Sequence, residues 1–286
     1  MGQQAVIDAV PYGSAVDLNG VRVSLHPAGH ILGSSQVRVE HRGRVMVVSG
    51  DYKEEPDATC AAFEPVRCHT FLTESTFGLP IYRWPSQAAV FDEINAWWRS
   101  NREAGKASLL FGYALGKAQR LLAGLDPSIG PIYTHGAVEP LNRAYRESGI
   151  ALPDTTPVSS MPKGTTWAGA MIVAPPSALG SPWMRKFGAA STAFASGWMM
   201  IRGTRRRKAV DRGFVLSDHV DWPGLQDAIQ ATGAERVLVT HGYSAVVARW
   251  LNDRGIASEA LRTDYRDEES LDAEEELGPS GVGAPE

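Results

Sequence analysis

Apolar and polar positions alternate along the first part of the chain. The segments "GVRVSLH", "SQVRVEH" and "RVMVVSG" alternate or run apolar between turns that contain Gly, Pro and Arg-Gly, so each predicts a β-strand. A further short strand, "TFLTES", ends at Glu74. Polar residues follow these strands directly, and loops at strand ends usually carry the chemistry of a scaffold. The pattern therefore predicts β-strands whose end loops carry candidate functional residues.

The period of the pattern changes at about residue 86. The segment "SQAAVFDEINAWWRSNREAG" combines a Ser N-cap, an apolar stripe with the helical period and a Gly stop, so it predicts a helix. Strands ("ASLLFGYAL", "GPIYTHG", "GAMIVAPP", "TAFASGWM") and helices ("GKAQRLLAGL", "VEPLNRAYRESG") then alternate. The segment "GFVLSDHVDW" follows, and after it come a helix "PGLQDAIQATGA", a strand "RVLVTHGY" and a helix "SAVVARWLNDRG". The alternation predicts an α/β protein with a parallel-sheet unit over about residues 86–210.

Composition places the chain among globular proteins. Its 286 residues allow one large domain or two modest ones, with 43% hydrophobic and 21% charged residues. No apolar run approaches the roughly 20 residues of a membrane helix, and no signal peptide is evident. Cys60 and Cys68 suggest neither a disulfide framework nor a zinc knuckle, so we expect reduced thiols and a cytoplasmic protein. The acidic residues 264–286 predict a disordered tail.

Five polar residues stand directly at or beyond strand ends. They are His30 in "PAGHILGS", Asp51 in "SGDYK", Glu74 in "TESTFG", His219 in "SDHVDW" and His241 in "VTHGYS". Each alone has a structural explanation, such as a hydrogen-bonded histidine, a turn or a helix cap. Together they suggest a metal site, because imidazole and carboxylate groups are common ligands of zinc and manganese.

The same segments resemble a known family. "PAGHILGSSQ", "VVSGDYK", "TESTFG", "LSDHVDW" and "VTHGY" are similar, in order, to the later motifs of the β-CASP branch of the metallo-β-lactamase superfamily. "EPVRCHTFLTESTFGLPIYRWP", "YALGKAQRLL" and "FASGWMMIRGTRRR" resemble its bacterial ligase-associated DNA exonucleases, often described as mRNA 3′-end processing factor-like. The resemblance implies a metallo-β-lactamase αββα sandwich, N-terminally incomplete, over residues 1–85 and 211–263, with a β-CASP α/β insert over residues 86–210.

The resemblance also implies roles for individual residues. His30, Asp51 and His241 would be metal ligands at a two-zinc site, with Asp51 bridging the ions and taking part in catalysis. Glu74 and His219 would form a hydrogen-bonded pair in which His219 protonates the leaving oxygen of a phosphodiester. The implied activity is exonucleolytic hydrolysis of DNA, with a DNA ligase and a helicase as partners. RNA 3′-end processing and a catalytically silent role beside a repair ligase or helicase remain alternatives.

One motif of that family is absent from the sequence. The family places His-x-His-x-Asp-His before these segments, whereas no two of the seven histidines here are two residues apart. Three of the seven family ligands are therefore present. A late start codon is the favoured explanation; a shortened chain, an inactive paralogue, or ligands from another chain are the others. Ligand counting predicts weak zinc binding, little nuclease activity and poor solubility for residues 1–286.

Basic residues provide candidates for contacts to nucleic acid. The segment "IRGTRRRKAVDRG" carries six basic side chains against Asp211, beside "LSDHVDW", although a solvated loop is equally consistent with the charges. In "GKAQR", two cations at a helix start could donate to phosphate or lie on an ordinary helix surface. DNA and RNA cannot be separated on these grounds, and the oligomeric state stays open. The candidates are Arg202, Arg205, Arg206, Arg207, Lys208, Lys117 and Arg120.

Overall fold

The computed structural model describes residues 8–201, 203 and 208–262, which form two β-sheets with helices packed against them. The predicted α/β fold class is confirmed, and the strands and helices expected from the pattern are present. The strands of the described residues are β1 (Ala15–Leu18), β2 (Val21–Pro27), β3 (Ser35–His41), β4 (Arg44–Val48), β5 (Thr70–Glu74), β6 (Ala107–Phe111), β7 (Ile132–Thr134), β8 (Thr156–Pro157), β9 (Met171–Ala174), β10 (Ala190–Ala195), β11 (Arg212–Phe214), β12 (Arg236–Thr240) and β13 (Ala257–Ala260). Their α-helices are α1 (Gln87–Glu103), α2 (Lys117–Gly124), α3 (Glu139–Glu147), α4 (Trp222–Thr232) and α5 (Ser244–Asn252).

The first sheet is mixed and has seven strands in the order β1-β2-β3-β4-β5-β12-β13. Strands β1 to β4 pair antiparallel, whereas β4, β5, β12 and β13 pair parallel. Because β2 and β4 both run antiparallel to β3, the carboxyl ends of β2, β4, β5 and β12 lie at the same edge. The sequence places a histidine or a carboxylate at each of those four ends.

The second sheet is parallel throughout and has the order β11-β10-β6-β9-β7-β8. Its central strand β6 is buried at all five positions, and two separate hydrophobic clusters include its alternate residues. The predicted Ser86 is the N-cap of helix α1, where its hydroxyl accepts the Ala89 N–H, and Trp98 of that helix is fully buried. Because both faces of the sheet are covered, four of the five residues in "ASLLF" are apolar. Strand β11, just beyond residue 210, also belongs to this sheet.

The two faces of the seven-stranded sheet differ in composition. One face packs on α4 and α5 through a core that includes Val47, Phe71 and Val237. Alternation and register put eleven apolar side chains on the other side, and none of them belongs to one of the four core clusters. This apolar outer face consists of Val16, Leu18, Val21, Val23, Leu25, Val37, Val39, Met46, Val48, Leu72 and Leu238.

The helices were also compared with the length and apolar character of a membrane-spanning helix. Within the described ranges, we find no helix with the length and apolar character that crossing a bilayer requires. The predicted tail over residues 264–286 lies outside the described residues.

Candidate active site

A buried carboxylate–imidazole pair lies at the carboxyl edge of the first sheet. His219 Nδ1 is 2.8 and 2.9 Å from the two Glu74 oxygens, and both side chains are almost fully buried. The Glu74 carboxylate also accepts the backbone N–H of Tyr52 and of Thr76. This confirms the hydrogen bond expected between Glu74 and His219. The two Glu74 oxygens that contact Nδ1 fix the orientation of the His219 ring.

His30 stands on a tight turn after β2. The preceding Gly29 has φ +73°, and a Cβ there would come 2.2 Å from the Lys53 carbonyl oxygen, so the close approach requires glycine. His30 Nδ1 lies 3.0 Å from the carbonyl oxygen of Asp218, an acceptor only, so Nδ1 carries the proton. His30 Nε2 is 4.0 Å from Asp51 Oδ2. The turn therefore presents the His30 ring with Nε2 facing a carboxylate.

Three groups at this edge have the chemistry of a metal site. Ligand atoms of His30, Asp51 and His219 lie within 4.8 Å of one another, and the two imidazole rings are 4.9 Å apart between centroids. A ligating histidine normally donates its second N–H to a carbonyl or carboxylate, as His30 does to Asp218 and His219 to Glu74. The residues present thus fit a divalent cation of the zinc or manganese class.

His241 occupies the next strand end but is outside that three-residue group. It follows Thr240, which pairs with Glu74 between the parallel strands β12 and β5. Its backbone has φ +56°, and its carbonyl oxygen accepts the Ser75 hydroxyl at 2.5 Å. The left-handed conformation is uncommon for a residue other than glycine and is found at functional positions more often than elsewhere. Ligation by His241 stays a prediction.

The phosphate-binding role expected of Lys117 and Arg120 is wrong. Both side chains are buried, with 0% and 2% of their surface exposed. Lys117 Nζ is 2.9 Å from Asp218 Oδ2, and Arg120 Nη1 is 2.5 Å from Asp218 Oδ1. Arg120 also pairs with Asp57. Their charges are neutralised inside the protein, so a nucleic-acid backbone cannot contact them.

The basic segment is only partly described. Lys208 lies over the ring of Phe194, with Nζ 5.4 Å from its centroid. Arg212, at the far end of the segment, is likewise over Phe214 and 4.0 Å from a Glu93 oxygen. The predicted contacts of Arg202, Arg205, Arg206 and Arg207 lie outside the described residues. A role for this segment in binding nucleic acid stays a prediction.

Aromatic residues that the sequence analysis did not select form one wall of the site. Phe77 packs among Tyr82, Trp84 and Trp198, and its ring centroid is 6.1 Å from that of His219. The Trp84 indole N–H donates to the His219 carbonyl oxygen at 2.9 Å. Three of these side chains come from "TFGLPIYRW", which begins two residues after Glu74, and that aromatic density was the available signal. The wall excludes water from one side of the His219 ring.

Burial and neighbouring charges shift the pKa values of Asp218, Lys53 and Cys60, which lie near the two histidines. Burial alone would raise the pKa of the Asp218 carboxyl, but the charges of Lys117 and Arg120 outweigh it and bring the pKa to about 2. Burial lowers the pKa of Lys53, and the neighbouring Arg120 charge lowers it further. Burial raises the pKa of the Cys60 thiol to about 11, which keeps it protonated.

Comparisons with known proteins place these features in a family context. A probable DNA ligase of Opitutus terrae is 33% identical over 257 residues, which cover 89% of this chain but 25% of that protein. The endoribonucleases Ysh1 of Schizosaccharomyces pombe and Saccharomyces cerevisiae are 34% and 32% identical over 124 residues, 42% of this chain and 16% and 15% of theirs. The chain thus spans about a quarter or less of these curated relatives. No family model matches the sequence.

A solved structure supports the fold alone. The chain superposes on a protein of unknown function from Enterococcus faecalis with a TM-score of 0.58 and 9% identity, covering 91% of this chain and 66% of that one. Sequence similarity to the ligase and to the two endoribonucleases is the stronger finding, and it agrees with the motif resemblance. The chain is therefore related to the β-CASP branch of the metallo-β-lactamase superfamily.

Proposed function

We propose that this chain is a metal-dependent nuclease that hydrolyses phosphodiester bonds and trims DNA from an end. The observation that carries the proposal is the Glu74–His219 pair beside His30 and Asp51, a carboxylate-bound imidazole next to side chains with the chemistry of metal ligands. The corresponding fold is the metallo-β-lactamase sandwich with a β-CASP insert. The two sheets and the apolar outer face of the first sheet support this assignment.

In the proposed site, His30, Asp51 and His241 hold zinc, with manganese as a substitute. A divalent ion held there would polarise the phosphodiester and stabilise the charge that develops on its oxygens. His30 contributes Nε2, because its Nδ1 proton is donated to the Asp218 carbonyl oxygen. The protein's own contribution is thus the fixed tautomer of His30 and the nearby Asp51 carboxylate.

His219 is the proposed proton donor. In its protonated form, Nδ1–H donates to Glu74 and Nε2 would give its proton to the leaving oxygen of the cleaved bond. Glu74 holds the ring in this orientation and is itself fixed by the N–H groups of Tyr52 and Thr76. Exclusion of water by Phe77 and its neighbours would strengthen the charge interactions at this ring.

Two observations bear on the substrate and partners. The ligase-named relative, matched over 89% of this chain, favours DNA, and it supports a DNA ligase as functional partner and, by the motif resemblance, a helicase. The endoribonuclease names of the Ysh1 relatives favour RNA as the second candidate substrate. In either case we propose cytoplasmic action.

Side-by-side digestion tests the proposal. Labelled DNA and RNA strands are incubated with the wild-type chain in excess zinc or manganese, so that even a weak site fills. We expect slow, chelator-sensitive release of nucleotides from DNA, because the chain carries three of the seven family ligands. His219→Ala should slow turnover by roughly 10²–10⁴-fold and leave the bound metal unchanged, whereas His135→Ala, distant in the second sheet, should change neither.

The outcomes separate the alternatives. Faster hydrolysis of RNA than of DNA would select RNA processing. Absence of hydrolysis with both substrates in excess metal would contradict the proposal and favour a catalytically silent partner. Loss of metal from His219→Ala would identify His219 as a ligand instead of a proton donor.

A further inference from the structure

Four charged side chains form a buried cluster directly behind the His30 and His219 rings. Lys117 and Arg120 come from α2, Asp218 precedes His219, and Asp57 comes from the loop after β4. Their side chains are 0%, 2%, 5% and 6% exposed in that order. We call these four residues the buried ion cluster. Two positive and two negative charges balance within it, as burial demands.

Arg120 contacts both loops that carry the histidines. Its Nη2 donates to the His30 carbonyl oxygen at 3.0 Å, and its Nη1 donates to the Ser217 carbonyl oxygen at 2.9 Å. Nη1 also lies 2.5 Å from Asp218 Oδ1. One planar guanidinium therefore fixes the turn after β2 relative to the loop before α4.

Asp218 extends the same connection to the His30 ring. Its carboxylate forms an ion pair with Lys117 through Oδ2 and with Arg120 through Oδ1. Its backbone carbonyl oxygen accepts the His30 Nδ1 proton. The orientation of the His30 ring thus depends on the position of Asp218. That position depends in turn on the two cations of α2, which lie three residues apart on one helix face.

We propose that Arg120 is a positioning residue that sets the His30 ring relative to the His219 ring. This inference rests on the proposed function of those two histidines. A buried ion pair is weak evidence for stability, because apolar residues of similar volume often stabilise as well or better. The multiple directed bonds of Arg120 instead supply geometry. A lysine keeps the charge but lacks the planar fork that reaches both loops at once.

Arg120→Lys tests the inference through kinetics. We expect kcat to fall about 10–100-fold, as for other changes behind a ligating residue, with KM within about threefold of the wild type. Arg99→Lys is the matched control, since Arg99 forms an exposed pair with Asp126 on the surface. That variant should keep wild-type kcat and KM.

A measurement that does not need turnover completes the test. Nuclear magnetic resonance of ¹⁵N-histidine in the metal-free protein should show His30 as the Nδ1–H tautomer in the wild type. In Arg120→Lys the His30 tautomers should interconvert, while the His219 Nδ1–H bonded to Glu74 stays as an internal reference. If the wild type hydrolyses nothing, the proposed function fails, yet this measurement still decides the inference about Arg120.

The inference is overturned if a folded Arg120→Lys protein keeps both the His30 tautomer and the wild-type kcat. If that variant does not fold, Asp57→Asn replaces it, because it removes one of the two carboxylates that orient Arg120. The same two readouts apply, and unchanged values in Asp57→Asn would equally overturn it.

Discussion

Gly29 and Gly33 flank His30 and share a left-handed backbone, with φ of +73° and +79°. Their surroundings differ. A Cβ at Gly33 would meet nothing within 4 Å, whereas a Cβ at Gly29 would meet the Lys53 carbonyl oxygen at 2.2 Å and Phe63 at 3.0 Å. The turn therefore needs glycine at Gly33 for its backbone angle, and at Gly29 for both the angle and the space.

Alanine at each position separates these two requirements. We expect Gly33→Ala to lower the free energy of unfolding by about 1 kcal/mol, the usual cost of a left-handed alanine. Gly29→Ala should cost roughly 3 kcal/mol or more, because the turn must also move away from Lys53. Urea denaturation of both variants measures the difference. Equal losses would show that the contact with Lys53 does not constrain the turn.

The sequence predicted the environment of some site residues correctly and of others wrongly. The Glu74–His219 pair was expected from the motif resemblance and is confirmed, because both residues sit at strand or loop ends that the pattern located correctly. Lys117 and Arg120 were misassigned. A basic pair at a helix start looks the same whether it faces solvent or pairs with carboxylates that are about 60 and 100 residues away in the chain, such as Asp57 and Asp218.

At the scale of elements, the site depends on helix α2. This helix packs against the second sheet, but its Lys117 and Arg120 form ion pairs with Asp57 and Asp218 in loops next to the first sheet. The ion pairs of Asp218 with Lys117 and Arg120 make the stability of this contact depend on pH. Its pKa is about 2, below its ordinary value of 3.8, because Lys117 and Arg120 outweigh the effect of burial. A carboxyl with a lowered pKa stabilises the fold above its ordinary pKa, and this contribution is lost as the pH falls toward 2.

Asp218→Asn should expose this dependence. At pH 7 we expect the variant to unfold more easily by roughly 3 kcal/mol, since two buried cations lose a charged partner. The difference from the wild type should stay constant down to about pH 5 and shrink as the pH falls below 4. Asp126→Asn, at an exposed pair with Arg99, is the control and should change stability little. A difference that persists unchanged below pH 4 would contradict the ionised state of Asp218.

The sequence predicted the individual strands and helices better than it predicted how they pack together. Alternation located β2, β3 and β4, and the Ser86 cap located α1, because these signals are local. Local signals do not tell which face of a strand meets the helices. In β2 and β3 the buried Ser24 and Gln36 face the helix side, and the valines that alternate with them form the apolar outer face.

At the scale of the whole molecule, two sheets meet where α2 contacts the carboxyl edge of the first sheet, and the candidate site lies at that junction. Strand ends of the first sheet supply His30, Asp51 and Glu74. Helix α2, which packs against the second sheet, supplies Lys117 and Arg120 behind them. The apolar outer face lies on the side of the first sheet away from α4 and α5. Val16 and Leu18 of this face are exposed and most of its other side chains are half-buried, and apolar surface that solvent reaches promotes association with other apolar surfaces.

The outer face leads to a prediction about residues 1–286 in isolation. We expect the purified chain to self-associate and to bind a hydrophobic dye, because β1 is an edge strand with Val16 and Leu18 39% and 56% exposed. The double variant Val23→Glu/Val39→Lys places opposite charges on a directly paired position of this face. It should reduce self-association, measured by analytical ultracentrifugation, without loss of stability. Val47→Lys, on the helix-covered face where Val47 is fully buried, should unfold the protein. If the double variant unfolds as readily as Val47→Lys, the outer face is part of a packed core.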